Sequence, residues 1–336
     1  MSITVIEHKG NDLLDVDHFV SEVLGSAEPL LIRGLARSWP AVSAGLQSSD
    51  AIAAYLQRFS TAKEVTALLG GAEHRGRLFY NEAMDGFNFE YIRTTLTQAI
   101  ECLQQLEAQS DPETLYVGST NVDHWLPGFR SENDLPVGEY EPLVSIWLGN
   151  RSTVAAHYDF PSNIAVVVAG RRRVTLLPPE QLENLYVGPL DLTPAGQSIS
   201  LVDFSAPDYE RFPRFREAEQ AALKVELEPG DAIVIPSMWW HHMEALESFN
   251  VLVNYWWRDT PAFMGAPLNV LQHALLGLRD LPPEQSAAWE RIFDHYVFNP
   301  KPENFSHIPA SARGVLNPIR EDVAAGLRAA LRKKLL

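Results

Sequence analysis

The chain has 336 residues, with 27 Lys+Arg against 43 Asp+Glu and a formal net charge of −16. That balance excludes a general nucleic-acid or anionic-membrane binder, because both partners demand a basic surface, although a local patch such as Arg171 to Arg173 stays compatible with it. A hydrophobic content of 46% with 21% charged residues describes a globular chain, long enough for two domains or for one large β domain with appendages.

The one cysteine, Cys102, falls in a predicted helix, so no intrachain disulfide forms and the thiol reads as a small buried apolar group. The opening MSITVIEHKGNDLL carries no cationic segment followed by an apolar run, and no stretch is long enough to span a bilayer. The expectation is a cytoplasmic enzyme or binding protein.

Residues 1–110 read as an α/β portion packed on the core. DVDHFVSEVL (15–24) predicts a short helix capped by Asp15 or Asp17, and PLLIRG (29–34) a strand ended by Gly34. SDAIAAYLQRF (49–59) places Ile52, Tyr55, Leu56 and Phe59 at helical spacing, with Ser49 or Asp50 as cap. Leu78 to Asn81 reads as a strand, and Thr94 to Leu106 as an amphipathic helix.

From Thr114 the texture changes to short β-rich runs punctuated by Gly and Pro, as in TLYVGS, PLVSIWLG and FNVLVNYWW, which predicts a sandwich or small barrel over 111–260. NIAVVVAG is apolar throughout, the mark of a strand covered on both faces. EPGD (228–231) reads as a tight turn with Gly230 free to take a positive φ. The irregular DFSAPDYERFPRFR (203–216) reads as cover or a functional loop. Residues 261–336 turn helical, with one apolar stripe through Trp289, Ile292, Phe293, Tyr296 and Val297 and another through Ile319, Val323, Leu327 and Leu331.

Within TVAAHYDFPSN, His157 and Asp159 stand two positions apart. On a strand, such side chains share a face, so an imidazole and a carboxylate would converge on one point. They are two of the three ligands of a 2-His-1-carboxylate centre, the arrangement that leaves positions open on non-haem Fe(II). A lone His-x-Asp arises readily by chance, so a third ligand is needed. PSMWWHHMEAL offers His241 and His242, of which only one can reach the same metal from a strand. The plain alternative makes both of them aromatic-edge residues stacked beside Trp239 and Trp240.

HYD at 157–159 together with GDAIVIPSMWWHH at 230–242 resembles the JmjC-type, cupin-like Fe(II)- and 2-oxoglutarate-dependent oxygenases, and within them most nearly the asparaginyl hydroxylase that inhibits hypoxia-inducible factor. LYVGS, VTLLPPEQLENLY, DFSAPDYERFP and VNYWW follow the family order across roughly 110–260, and the early PLLIRGLARSWP is family-like as well. The resemblance implies a double-stranded β-helix (cupin or jelly-roll) core in a mainly β chain with flanking helices. It implies His157, Asp159 and His241 as ligands of Fe(II), with His242 a neighbour. It further implies that Tyr116, Asn163 and Asn254 line the 2-oxoglutarate pocket and that Arg172 stands where relatives often have Lys. A guanidinium fork suits a carboxylate. Val154 departs from the Thr common in relatives. Ser198 and Ile199 replace a polar pair that holds protein substrate in the named hydroxylase, while Trp256 matches an aromatic beside the substrate channel.

The implied reaction couples decarboxylation of 2-oxoglutarate to succinate and CO2 with hydroxylation of a substrate C–H, on a protein or peptide by preference, or on an RNA base or a small molecule. Asp159 argues against halogenation, which needs that position free of a carboxylate. Rival readings are a metal cupin that does not use oxoglutarate and a non-catalytic cupin binding module. The C-terminal stripes and the resemblance together lead to an expected homodimer.

Overall fold

In the computed structural model, residues 3–7 and 19–335 are described, and the chain forms two units, residues 1–258 and 259–336. The first unit is built on fourteen strands among the described residues. They are β1 (Thr4–Glu7), β2 (Leu30–Arg33), β3 (Glu64–Gly70), β4 (Arg77–Leu78), β5 (Phe89–Thr95), β6 (Thr114–Asn121), β7 (Leu143–Gly149), β8 (Ser152–His157), β9 (Ser162–Ala169), β10 (Arg172–Leu177), β11 (Leu223–Leu227), β12 (Ala232–Ile235), β13 (Trp240–Ala245) and β14 (Asn250–Trp257). Nine of them form one sheet in the order β1-β2-β12-β9-β14-β7-β6-β3-β5, and five a second in the order β11-β10-β13-β8-β4. Pairing is antiparallel except for β1 with β2 and β4 with β8. This is the jelly-roll architecture, mainly β with helices around it.

The all-apolar run becomes β9, buried at every residue because it lies inside the large sheet between β12 and β14. Its alternate residues serve two cores. Ile164, Val166 and Val168 face a helix-covered layer, and Ala165 and Val167 face the small sheet, where they meet Val174 and Leu176. Leu96–Glu107 is the predicted amphipathic helix, with Leu96, Ile100, Leu103 and Leu106 buried and a capping box between Thr95 and Gln98.

Several expectations are corrected in detail. The helix Ser49–Gln57 is capped by Ser48, whose hydroxyl accepts from Ala51 N at 3.1 Å, and not by Ser49 or Asp50. A helix at Pro40–Gln47, starting on its proline, was not anticipated. The strand expected from Leu78 to Asn81 is only Arg77–Leu78, followed by an isolated bridge between Tyr80 and Phe87. EPGD does turn tightly, with Gly230 at φ 97°, but it carries the chain from the small sheet (β11) to the large one (β12). The predicted caps Asp15 and Asp17 lie outside the described residues, and Phe19–Leu24 is a π-helical turn with Phe19, Val23 and Leu24 buried.

The second unit consists of the helices Pro267–Gly277, Pro283–Phe293 and Glu321–Leu335 with short helical turns between them. Among its described residues the buried hydrophobics are Phe305 and Ala324, while Trp289, Ile292, Tyr296, Val297 and Phe298 stand exposed. Among the described residues no helix is long and apolar enough to cross a membrane.

Candidate active site

His157 is the last residue of β8 and His241 the second of β13, and the two are register partners in the small sheet. Cross-strand partners share a face, so the rings meet with centroids 4.2 Å apart. Asp159 lies two residues past the end of β8, so the pleat does not deliver it, contrary to the expectation of a strand through both residues. A neighbouring turn holds it instead. Met238 N donates to Asp159 O at 2.9 Å, and Ser237 Oγ donates to Phe160 O at 2.6 Å. Met238 adopts φ 68° to do so, a conformation uncommon for a non-glycine residue and frequent at functional sites.

Each histidine turns its Nδ1 to a backbone carbonyl, His157 to Ala155 O at 2.9 Å and His241 to Trp239 O at 3.0 Å. A carbonyl only accepts, so Nδ1 carries a proton in each ring, which in the neutral tautomer leaves the Nε2 lone pair for a metal. His241 Nε2 stands 3.6 Å from Asp159 Oδ2, and one ligand atom from each of His157, Asp159 and His241 lies within 4.8 Å of the others. Burial, and then the neighbouring His157, lower the His241 pKa to about 4. The ring is therefore neutral at physiological pH and ready to donate. His242 turns to the opposite side and stacks on Phe204 at 4.6 Å.

The triad opens into a cavity of about 310 Å³ between the two sheets. Arg172 lies at the start of β10, on the face shared with Val174 and Leu176, and Leu176 is the register partner of His241. Its neighbours Arg171 and Arg173 point the other way to pair with Glu247 and Glu226, each at 2.7 Å. Arg172 itself is 3% exposed, and its Nε and Nη2 are buried without a hydrogen-bond partner. Burial lowers its pKa, and proximity to Tyr116 only partly opposes this. Tyr116 is buried beside it, its hydroxyl pushed up to about 12 by burial, so it remains a protonated donor. Asn163 Oδ1 is likewise buried and unpartnered, and Asn254 lines the same cavity.

An unpaired buried guanidinium is costly unless an anion completes it. The four residues implied for the oxoglutarate pocket thus line one cavity, in which the unpaired Nε and Nη2 of Arg172 are the donors suited to a carboxylate. Val154 lines that cavity and leaves no hydroxyl there, and Trp256 stands on its wall. The sequence reading missed Trp147, whose indole Nε1–H donates to Asn254 Oδ1 at 2.7 Å. The alternation in SIWLG could have turned it inward, but nothing in the sequence pairs that indole with that amide. Gly118 makes room for the ring, since a Cβ there would stand 3.1 Å from Trp147 Cζ3.

A jelly roll with a His-x-Asp…His centre between its sheets defines a cupin-type metal protein, and residues 16–263 match the family described as "Cupin-like domain". The chain belongs to that family. Over 248 residues it is 27% identical to lysine-specific demethylase 8 of Xenopus tropicalis, covering 72% of this chain and 51% of the relative. It is 31% identical over 143 residues to tRNA wybutosine-synthesizing protein 5 of Gallus gallus, covering 38% of this chain and 42% of the relative. A third similarity, 34% over 116 residues, is to human HSPB1-associated protein 1, covering 33% and 23%. The chain spans about half or less of the length of these relatives. The JmjC-type, cupin-like resemblance therefore stands, and nothing here points specifically to the asparaginyl hydroxylase.

Proposed function

We propose that this chain is an Fe(II)- and 2-oxoglutarate-dependent oxygenase that hydroxylates a substrate C–H, with succinate and CO2 as co-products. The observation that carries the reading is Arg172, buried, unpaired and facing the cavity that contains the triad. A metal cupin without oxoglutarate would leave this guanidinium uncompensated. His157, Asp159 and His241 would hold the iron. Arg172 and Tyr116 would bind the distal carboxylate of 2-oxoglutarate, with Asn163 and Asn254 lining its stem. When bound, the iron and co-substrate supply the oxidising chemistry, and the protein contributes orientation, exclusion of water and fixed protonation states. The relatives named above include a lysine-specific demethylase and a tRNA wybutosine-synthesizing protein. The net charge of −16 favours a protein or peptide substrate over RNA.

The test is an anaerobic titration of metal-free protein with Fe(II) and then 2-oxoglutarate, read by the visible charge-transfer band of the chelate. The band should form in the wild type and be absent in Asp159→Ala and His241→Ala. Iron binding with no band on adding oxoglutarate would favour the simple metal cupin, and failure to bind iron the binding module.

We further propose that the helical unit 259–336 pairs with a second copy of the chain. Three helices with almost no buried apolar residue of their own cannot offset their ordering entropy while Trp289, Ile292 and Phe298 face water.

A further inference from the structure

We infer that an extended polypeptide docks on the open edge of β5 as an added strand of the large sheet. One of its side chains then enters the cavity, and a carboxylate two residues away meets Arg93. The assignment rests on the reading of a protein or peptide substrate given above.

β5 ends the large sheet and, at seven residues, is longer than the other edge strands β1, β4 and β11. Its sequence FEYIRTT holds no proline or glycine, and it pairs with β3 without a bulge. Proteins usually blunt such an edge, because its unpaired N–H and C=O groups template another strand. The neighbouring pairings tell which groups these are. Asn150 N donates to Leu115 O, so Leu115 bonds towards β7 and Tyr116, by alternation, towards β3. Leu68 is the register partner of Tyr116, so Ala67 and Leu69 turn to β5 and meet Ile92 and Glu90. The main-chain groups of Tyr91 and Arg93 are thereby left on the open side. Thr95, next in the same series, donates its N–H out of the ladder to Gln98 Oε1 at 3.1 Å. Among the described residues no hydrogen bond outside the strand ladder reaches the main chain of Tyr91 or Arg93.

The register also joins this edge to the cavity. Tyr91, Leu68 and Tyr116 form one row across β5, β3 and β6, and all three line the cavity. Tyr91 is 58% exposed and so forms the rim, while Tyr116 lies buried at the inner end of the row. A strand added outside β5 continues the row, and its residue beside Tyr91 presents its side chain on the cavity face. Two positions on, Arg93 shares that face, is exposed and makes no ion pair among the described residues. A carboxylate opposite it completes a cross-strand pair. On this face β5 itself carries Phe89, Tyr91, Arg93 and Thr95, so a second copy of the chain pairing by the same edge brings no carboxylate to Arg93.

The probe is Ac-Lys-Thr-Glu-Thr-Leu-Thr-Glu-Thr-Lys-NH2, with fluorescein on its last lysine. Its glutamates flank the leucine on both sides, so either strand direction is served. Binding by the full chain is read from fluorescence anisotropy. N-methylation of the leucine and glutamates blocks one edge of the probe, and N-methylation of the threonines blocks the other. One set should weaken binding about tenfold and the other less than about twofold. Arg93→Pro removes an outward N–H at a position where a strand tolerates proline, and should weaken binding about fivefold. The wild type should prefer the probe over its glutamine counterpart by about threefold. Arg93→Ala should lose that preference, and it covers a proline variant that does not fold. With Mn(II) bound, against a Zn(II) control, the leucine methyl lines of the unlabelled probe should broaden about fivefold more than its lysine ε-methylene lines. Absence of binding, equal loss with both N-methyl sets, or uniform broadening overturns the assignment. So does a wild-type dimer that Arg93→Pro turns into a monomer by light scattering, which gives the edge to a second copy. Anisotropy needs neither metal nor 2-oxoglutarate. A missing chelate band with normal docking therefore removes the oxygenase reading and leaves a peptide-binding module, whereas a normal band without docking removes this assignment alone.

Discussion

Trp147 and Asn254 sit diagonally across β7 and β14, and the indole Nε1–H donates to the amide Oδ1 at 2.7 Å. The bond consumes the carbonyl end of Asn254 and leaves its NH2 as the free end of the carboxamide. The ring of Trp147 is itself braced edge-on by Trp256, with centroids 5.8 Å apart. Replacing Trp147 by Phe keeps most of the packing and removes the donor. 2-Oxoglutarate affinity should then fall by about 3- to 10-fold, the worth of one hydrogen bond, with metal affinity unchanged. Paired titrations of the chelate band and of Mn(II) binding check this, and a parallel loss of both would show a merely structural tryptophan.

Arg172 should behave unlike an ordinary buried arginine. With no hydrogen bond to its Nε or Nη2, the charge weighs against the folded state. Arg172→Met, similar in length and apolar, should leave the melting temperature of the ligand-free protein equal or raise it. The same variant should lose the upward shift that 2-oxoglutarate produces in the wild type by binding the native state alone. Arg172→Lys should keep part of that shift, since the charge is retained and the bidentate fork is not. Differential scanning with and without the ligand reads both effects, and a strongly lowered ligand-free midpoint for the methionine variant would count against them.

Acid should destabilise the metal-free protein before its carboxylates titrate. Burial lowers the pKa of both His241 and His242 to about 4. Unfolded histidines take up protons near about 6.5, so the unfolded chain binds more protons below that value, and each unit of depression corresponds to about 1.4 kcal/mol. Stability is therefore full above about pH 6.5 and is lost as pH falls toward about 4. His242→Phe, able to keep the stack on Phe204, should flatten the slope, while Mn(II) affinity stays within about threefold because His242 faces away from the triad. Thermal midpoints across this pH window test it, and a flat profile in the wild type would refute the shared burial of the two rings.

The helical unit should make the chain dimeric. Light scattering at micromolar concentration should give twice the chain mass, and Trp289→Glu with Ile292→Glu should bring it to the monomer while leaving the chelate band intact. A monomeric wild type would remove the proposal. Both side chains are about two fifths exposed in the single chain, at 42% and 40%, so the substitutions leave no buried charge in the monomer.

Local patterns carried far in this protein because the jelly roll is built from elements whose residues declare their surroundings. NIAVVVAG has no polar position, and only a strand covered on both faces tolerates that. Gly230 supplies the positive φ that the turn into β12 uses. If a strand runs through Arg171, Arg172 and Arg173, its alternation turns at least one guanidinium inward, and the order of the HYD and WWHH segments marked the ligands. What the sequence by itself determined was therefore the class of fold and the chemical types gathered at its centre. The tertiary structure alone decided how they meet. Asp159 reaches the centre through a turn that Met238 and Ser237 hold from another part of the chain, not through a strand pleat. Trp147 finds Asn254 at a separation of 107 residues, and Ile199 reaches the ligand strand by way of Ala155. Such contacts depend on register and loop closure between distant segments, which no local spacing records, because the period of a strand sets only which face a side chain takes and not what it will meet there.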